Sequence, residues 1–289
     1  MYAPDFDYHR AGSLTEAQQL LATYPGAKLL AGGHSLIPLM KLRLAAPGTV
    51  IDIGRIQELR GVTTVGELLR IGALTTHAEL AASADLRRGA PALAEAASIV
   101  GDPAVRNRGT IGGNVAHADP ASDLPTVLVA LGARLVAVGA RGERTIDAVD
   151  FFTGIMTTAL DEDEILAAVL VPVAGPGQGS AYVKFAHPAS RYAVVGAAAT
   201  ITLESGTCAA ATVAVGGLVS NAKRVPRVER ALIGRGTSEA DLAAAAAEAL
   251  HDLGDVNGDI FASADYRRAI LPVYVKRALA AAVARAGLS

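Results

Sequence analysis

Two glycine-centred segments constrain the fold of this chain more than any other feature of its sequence. They are AGGHS at residues 31–35 and TIGGN at residues 110–114, the second within the polar stretch VRNRGTIGGNVAHADPASD at 105–123. Such sequence suits neither a helix interior nor a central strand. Paired glycines let the backbone turn sharply and present successive N–H groups to one anion. Ser35, Thr110 and Asn114 would add side-chain hydrogen bonds, so the two segments together predict a diphosphate site.

Each segment alone is also compatible with an ordinary tight turn, which is what a glycine pair most often forms. Neither segment is a P-loop, because no Gly-Lys-Ser/Thr sequence follows. Neither is a GxGxxG motif that opens a long helix. The diphosphate prediction therefore depends on the two segments acting together.

Composition argues against several classes of protein. The 289-residue chain has 26 Lys and Arg against 28 Asp and Glu, a net charge of −2, whereas nucleic-acid binders usually carry a clear basic excess. Its single cysteine, Cys208, allows no disulfide within the chain and no thiolate cluster. The start, MYAPDFDYHRAGS, lacks the features of a signal peptide, and no run approaches the roughly 18 apolar residues of a membrane span. We therefore expect a soluble cytoplasmic protein with no nucleic-acid partner, no transmembrane segment and no metal site, since the histidines are too scattered.

The order of predicted elements favours an α+β protein with two domains. Strands and helices are mixed up to AGPGQGS at 174–180, whose density of Gly and Pro is typical of a linker. In this part, Thr76 with Glu79 predicts a capping box that starts a helix, and RTIDAVDFF at 144–152 predicts a strand. After the linker, AYVKFAH, YAVVGAAATITLE and GTCAAATVAVGG predict three antiparallel strands, with ESG at 204–206 as a hairpin turn. Two helices follow, and we expect the last one to be interrupted near Pro272. The predicted domains are residues 1–176 and 177–289.

Three motifs resemble those of the FAD-binding (medium) subunits of the molybdenum hydroxylase and xanthine dehydrogenase family. They are LLAGGHSLIPLMKLR, VRNRGTIGGNVAHADPASDLP and YVKFAHPASRYAVVG. The similarity extends over nearly the whole chain and is greatest to the medium subunit of carbon monoxide dehydrogenase. It implies a FAD-binding fold of the vanillyl-alcohol oxidase (PCMH) type with two subdomains, at about 1–55 and 56–176. A C-terminal three-stranded antiparallel sheet with helices would follow.

The resemblance also implies where FAD would bind, with its pyrophosphate held by the two glycine-centred segments. Asp123 matches a position that hydrogen-bonds the cofactor's sugar or ribityl hydroxyls, and a carboxylate can accept from two hydroxyls at once. The alternative is that Asp119, Ser122 and Asp123 compete to cap the next helix. The full set of implied cofactor-binding residues is Leu30, Ala31, Gly32, Gly33, His34, Ser35, Leu36, Gly101, Thr110, Gly112, Gly113, Asn114, Asp123, Ile165, Leu166, Lys184 and Tyr192.

Lys184 and Tyr192 match family positions beside the isoalloxazine ring. A lysine near the flavin N1–C2=O edge would stabilise the reduced flavin and raise its potential, and Tyr192 would cover one face of the ring. Without the resemblance, Lys184 would be interpreted as a strand-edge lysine that blocks aggregation and Tyr192 as a sheet aromatic. Ile165 and Leu166 would be interpreted as core residues.

No nucleophile–base pair or catalytic motif is visible, so side-chain catalysis is not predicted and the chemistry would belong to a cofactor. The resemblance implies non-covalently bound FAD in one subunit of a heterotrimer, commonly doubled into a dimer of heterotrimers. A large subunit would carry the molybdenum cofactor, and a small subunit would carry [2Fe-2S] clusters. This chain would accept electrons from those clusters and pass them to quinone, NAD, oxygen or a cytochrome. The alternatives are a stand-alone FAD-dependent oxidoreductase of the vanillyl-alcohol oxidase type and a nucleotide-binding scaffold without redox function.

Overall fold

A small parallel sheet carries the first glycine-centred segment. In the computed structural model, which describes residues 2–287, the three strands pair in the order β1-β3-β2. The elements of this part of the chain are β1 (Asp7–Arg10), α1 (Leu14–Thr23), β2 (Lys28–Leu30), α2 (Leu36–Lys41) and β3 (Thr49–Asp52). Because β2 ends at Leu30, residues 31–35 leave the carboxyl end of a parallel strand, where ligands commonly bind in α/β sheets.

A five-stranded antiparallel sheet, ordered β4-β5-β10-β6-β7, forms the middle of the molecule. Its central strand β10 is apolar and almost wholly buried, as a strand covered on both faces must be. The elements of this part of the chain, in order, are β4 (Val62–Val65), β5 (Leu68–Gly72), α3 (His77–Ala82), α4 (Ala84–Gly89), α5 (Pro91–Ser98), α6 (Pro103–Arg106), α7 (Ile111–His117), α8 (Asp123–Ala130), β6 (Arg134–Gly139), β7 (Gly142–Asp147), α9 (Ala148–Phe151), β8 (Phe152–Gly154), β9 (Thr157–Thr158) and β10 (Ile165–Pro172).

The third sheet confirms the three antiparallel strands predicted after the Gly- and Pro-dense stretch. They are β11, Gln178–Ala186, β12, Ala193–Glu204, and β13, Thr207–Gly216, and a two-residue strand β14, Lys223–Arg224, extends the sheet. Ser205 and Gly206 join β12 to β13 with φ angles of 49° and 80°, the positive pair that a tight hairpin turn requires. Three helices follow: α10, Pro226–Leu232, α11, Glu239–Ala247, and α12, Ala264–Ala286.

Helix α12 corrects one prediction, because it continues through Pro272 without a break. Proline removes one helical hydrogen bond, but Leu271 just before it and Val275 three residues after it are fully buried. The helix lies directly on β11, since a Cβ at Gly179 would come within 2.1 Å of the Ala282 carbonyl oxygen. Packing therefore overrides the local preference for an interruption.

The alanine-rich β12 lies between two cores. Ala198 faces the core that the middle sheet forms with α5 and α8, whereas Ala197 and Ala199 face the core beneath α12. Burial on both faces explains why the strand is a continuous run of small apolar residues. Among the helices of residues 2–287, none is both long and apolar enough to cross a bilayer.

Candidate functional site

A cavity of about 690 Å³ opens between the first sheet, α7 and the loop between β11 and β12. This volume lies within the range of roughly 300–1,000 Å³ that is usual for ligand sites. Of the residues that the resemblance implied, all except Lys184 line it: Leu30, Ala31, Gly32, Gly33, His34, Ser35, Leu36, Gly101, Thr110, Gly112, Gly113, Asn114, Asp123, Ile165, Leu166 and Tyr192.

The two glycine-centred segments lie against each other in the wall of the cavity. A Cβ built on Gly32 would lie 2.2 Å from the carbonyl oxygen of Arg108, in the chain that leads directly into the second segment. Within the second segment itself, a Cβ on Gly113 would lie 3.7 Å from the Cβ of Ala31. The absence of a side chain at position 32 is therefore what allows the two backbones to meet.

The first segment has the hydrogen-bonding pattern that an anion-binding nest requires. No residue within 2–287 offers an acceptor to the backbone N–H groups of Ala31–Leu36, whereas buried or partly buried backbone donors are normally paired. Gly33 has φ +76°, a conformation that suits glycine and turns successive N–H groups towards one point. Ser35 precedes α2 as its N-cap, but its hydroxyl makes no capping bond and is available to a ligand.

The second segment corrects the prediction of a glycine-rich loop, because its glycines begin helix α7. Ile111 N–H donates to Thr75 O, Gly112 N–H to Ala73 O, and Gly113 N–H to the Thr110 hydroxyl. The first-turn N–H groups that a nest would offer are thus already used. A Cβ at Gly112 would lie 2.5 Å from the Cβ of Ala73, so this glycine serves close packing. Of the two segments, only the first therefore offers the free backbone N–H groups on which the diphosphate prediction rests.

Asp123 is the first residue of α8 and lies at the cavity wall with 4% of its surface exposed. Its Oδ1 accepts a hydrogen bond of 2.7 Å from the Tyr182 hydroxyl, and its Oδ2 accepts one of 2.7 Å from Lys184 Nζ. Burial raises the pKa of Asp123, while Lys184 and Tyr182 act in the opposite direction. The other two candidates for capping the helix have partners of their own. Asp119 accepts a hydrogen bond from the Ala121 N–H. Ser122 is the N-cap of α8, and its hydroxyl accepts a hydrogen bond from the Asn114 side chain.

Lys184 is not among the residues that line the cavity, and its predicted place beside the ring system stays a prediction. Its side chain is 4% exposed, and Nζ donates to Asp123 Oδ2, Ile99 O and Arg191 O. An ammonium group has only three N–H donors, so none remains for a cofactor. Asp123 stands between this charge and the cavity.

Tyr192 projects from the loop between β11 and β12 and is 42% exposed at the cavity. Partial burial and the carboxylates of Asp119 and Asp123 raise its pKa. Gly101 follows the end of α5 with φ +47°, and its carbonyl oxygen accepts from the Arg106 guanidinium. Arg106 is therefore engaged with the backbone on the cavity's edge.

Ile165 and Leu166 contribute apolar residues to the cavity lining. The acidic residues Asp161, Glu162 and Glu164, which directly precede them in the sequence, also line the cavity. Glu164 accepts two hydrogen bonds from Arg144, of 2.6 and 2.8 Å, which lower its pKa. Phosphate is repelled by such carboxylates, so they favour the diphosphate at the glycine-lined side of the cavity.

His77 is a cavity residue that the sequence did not single out. It is the first residue of α3 and 2% exposed, and burial lowers its pKa to about 4, so the imidazole is neutral at pH 7. Its Nδ1 and the Oδ1 of Asn114 are buried and have no partner within residues 2–287. The confirmed capping box of Thr76 and Glu79 fixed the position of the helix, but nothing in that motif indicated that His77 would face the cavity.

Family models and known proteins agree with this geometry. Residues 4–174 match the FAD binding domain in molybdopterin dehydrogenase, and residues 180–282 match the CO dehydrogenase flavoprotein C-terminal domain. The chain belongs to the family of FAD-binding medium subunits of molybdenum hydroxylases. The resemblance seen in the three motifs is thereby confirmed.

Several members of this family are similar over their full length. The carbon monoxide dehydrogenase medium chain of Hydrogenophaga pseudoflava is 41% identical, with 99% of each chain covered. The 6-hydroxypseudooxynicotine dehydrogenase complex subunit alpha of Paenarthrobacter nicotinovorans is 39% identical over 99% of this chain and 97% of its own. A crystal structure of the Hydrogenophaga carbon monoxide dehydrogenase that lacks the Mo-pyranopterin moiety superposes with a TM-score of 0.95 at 41% identity, covering 99% of both chains. The predicted α+β fold with a FAD-binding domain of this type is confirmed.

Proposed function

We propose that this chain binds FAD non-covalently in the cavity and works as the electron-transfer subunit of a molybdenum hydroxylase. The proposal is that it accepts electrons from the [2Fe-2S] clusters of a partner subunit and passes them to an external acceptor. One observation carries it: a run of backbone N–H groups at Ala31–Leu36 that find no acceptor within residues 2–287 lines a cavity of about 690 Å³ in a chain of a FAD-binding family.

The residues of the cavity fit the parts of FAD. The N–H groups of Ala31–Leu36 and the Ser35 hydroxyl are donors, which suits a diphosphate. Asp123 already accepts one hydrogen bond on each oxygen, but a carboxylate has about four acceptor sites. It retains capacity for cofactor hydroxyls. Ile165 and Leu166 offer an apolar surface to a planar ring.

Bound FAD would supply one- and two-electron transfer. The chain's own contribution is to orient the cofactor and limit its contact with water. Tyr192, held on the loop between β11 and β12, is the side chain placed to cover the cavity from the C-terminal part. The proposal assigns residues 1–176 to FAD binding, in subdomains of about 1–55 and 56–176, and residues 177–289 to the closing domain.

The assembly is part of the same proposal. We place the chain in a cytoplasmic complex with a large molybdenum-cofactor subunit and a small [2Fe-2S] subunit, arranged as a dimer of heterotrimers. The names of its relatives, a medium chain and a subunit of a complex, support an assembly of this kind. The single Cys208, which is free and buried, is in keeping with a reducing compartment.

Co-expression with candidate large molybdenum-cofactor and small [2Fe-2S] subunits from the same organism tests the proposal. We expect a tag on this chain to recover both partners, together with flavin absorption bands that dithionite bleaches. Denaturation with acid should release the flavin, because the bond is non-covalent. Recovery of a flavin-containing chain that oxidises a substrate without any partner would favour the stand-alone oxidoreductase. Recovery of the complex without flavin would overturn the proposal.

A further inference from the structure

Lys184 connects three separate segments of the cavity wall. Its Nζ lies 2.7 Å from Asp123 Oδ2, 3.1 Å from Ile99 O and 2.7 Å from Arg191 O. Ile99 leads into the cavity residues Val100 and Gly101, and Arg191 precedes Tyr192. Two of the acceptors belong to residues 4–174 and the third to residues 180–282. A single buried cation therefore joins the two parts of the chain at the cavity.

The segment that Lys184 holds from the C-terminal side is the Tyr192 loop, residues 187–192. Within it, His187 N–H donates to Tyr192 O, and Arg191 N–H donates to His187 O. Arg191 has φ +62°, a left-handed conformation that residues with a side chain rarely adopt and that persists only where the surroundings hold it. The bond from Lys184 falls on the carbonyl oxygen of this same residue.

The charge of Lys184 is balanced where it lies. Asp123 accepts directly from Nζ, and both side chains are 4–5% exposed. A paired cation and anion produce a much weaker field at a distance than a lone cation. A role in holding structure therefore fits this lysine better than a role in stabilising a negative charge inside the cavity.

We propose that Lys184 is a positioning residue that fixes the Tyr192 loop over the cavity and so slows escape of the cofactor. The claim that Lys184 slows escape of the cofactor rests on the proposed FAD function. The claim that Lys184 holds the Tyr192 loop concerns this chain's own residues and is measurable without FAD.

Two substitutions separate positioning from charge. Lys184→Met removes every N–H donor and the charge while keeping an unbranched side chain about as long as the aliphatic part of lysine. Lys184→Gln also removes the charge but keeps two donors, so it can still bond Asp123 and the Arg191 carbonyl oxygen. Lys223→Met, at an exposed position in β14 of the same sheet, is the matched control.

The measurements are amide hydrogen exchange of residues 187–192 in the FAD-free complex with the partner subunits, and the FAD dissociation rate and flavin potential of the loaded complex. For Lys184→Met we expect exchange and FAD dissociation to accelerate at least tenfold at an unchanged potential. Lys184→Gln should give an intermediate acceleration, and Lys223→Met should match the wild type.

The inference would be overturned if residues 187–192 of Lys184→Met exchanged as slowly as in the wild type. It would also be overturned if both variants shifted the flavin potential equally while the exchange of these residues stayed at the wild-type rate. Should Lys184→Met fail to fold, Lys184→Gln decides, and wild-type exchange in it contradicts the positioning role. A wild-type complex that holds no FAD refutes the proposed function, while loop exchange still reports on Lys184.

Discussion

Gly32→Ala tests the contact between the two glycine-centred segments. The new Cβ would lie 2.2 Å from the Arg108 carbonyl oxygen and 2.9 Å from both the Arg108 carbonyl carbon and the Gly109 Cα. These are backbone atoms, which cannot rotate away as a side chain can. Since non-bonded carbon contacts are favourable only from about 3.5 Å, the two segments must separate by about 1 Å.

The displacement affects the site more than the fold. Overpacking of this kind costs about 1–3 kcal/mol, and both segments face the cavity rather than a core. If the segments can hold FAD only at their present separation, the same cost appears as lost binding free energy. That loss corresponds to about 5- to 150-fold weaker FAD binding.

The assay is titration of FAD into flavin-stripped complex, with the dissociation constant read from flavin fluorescence well below the unfolding temperature. Gly48→Ala is the control, because a Cβ at Gly48 has open space around it. We expect the control to bind FAD as the wild type does. Wild-type affinity in Gly32→Ala would refute the reasoning that the close approach of the segments shapes the site.

Three further substitutions test other parts of the structure. Between pH 7 and pH 4 the wild type should lose about 3 kcal/mol more unfolding free energy than His77→Gln, measured by urea unfolding. The reason is that the fold lowers the pKa of His77 from 6.5 to about 4, so the unfolded state takes up the proton first as pH falls; equal losses would contradict this. Gly112→Ala should lower the unfolding free energy by about 1–3 kcal/mol, because the new Cβ would lie 2.7 Å from the Ala73 carbonyl oxygen. An unchanged midpoint of urea unfolding would count against close packing at this position. Tyr192→Ala should raise iodide quenching of bound-flavin fluorescence several-fold while Tyr192→Phe does not, and equal quenching in all three proteins would exclude a covering role for this ring.

Local sequence rules predicted the parts of the fold that local energetics decide. The capping box of Thr76 and Glu79 and the tight turn at Ser205 and Gly206 appear where their patterns placed them. The strand predicted over 144–152 is a strand only up to Asp147, where β7 ends and helix α9 begins. The local sequence pattern did not indicate this change. The helical start at Ile111 was missed as well, because glycines in a first turn are unfavourable unless distant acceptors, here Ala73 O and Thr75 O, take up their N–H groups.

The candidate site was predictable in its members but not in its hydrogen bonds. Nearly all the residues that the motifs named line the cavity, although many other lining residues were not named. The motifs did not distinguish the N–H groups of Ala31–Leu36, which have no acceptor within residues 2–287, from the bonded ones of Ile111–Gly113, because that difference depends on which acceptors lie beside each segment. The place of Lys184 also depends on tertiary contacts, since its acceptors are 61, 85 and 7 residues away in sequence.

Amide hydrogen exchange at residues 31–36, compared between the FAD-loaded and FAD-stripped complex, tests the central claim most directly. In the stripped complex these N–H groups have no acceptor within residues 2–287, so we expect rapid exchange. Loading with FAD should slow exchange strongly at residues 31–36 and leave residues 111–113 as they were, since those N–H groups are already bonded. Tight FAD binding without protection of residues 31–36 would contradict the claim that this segment holds the diphosphate.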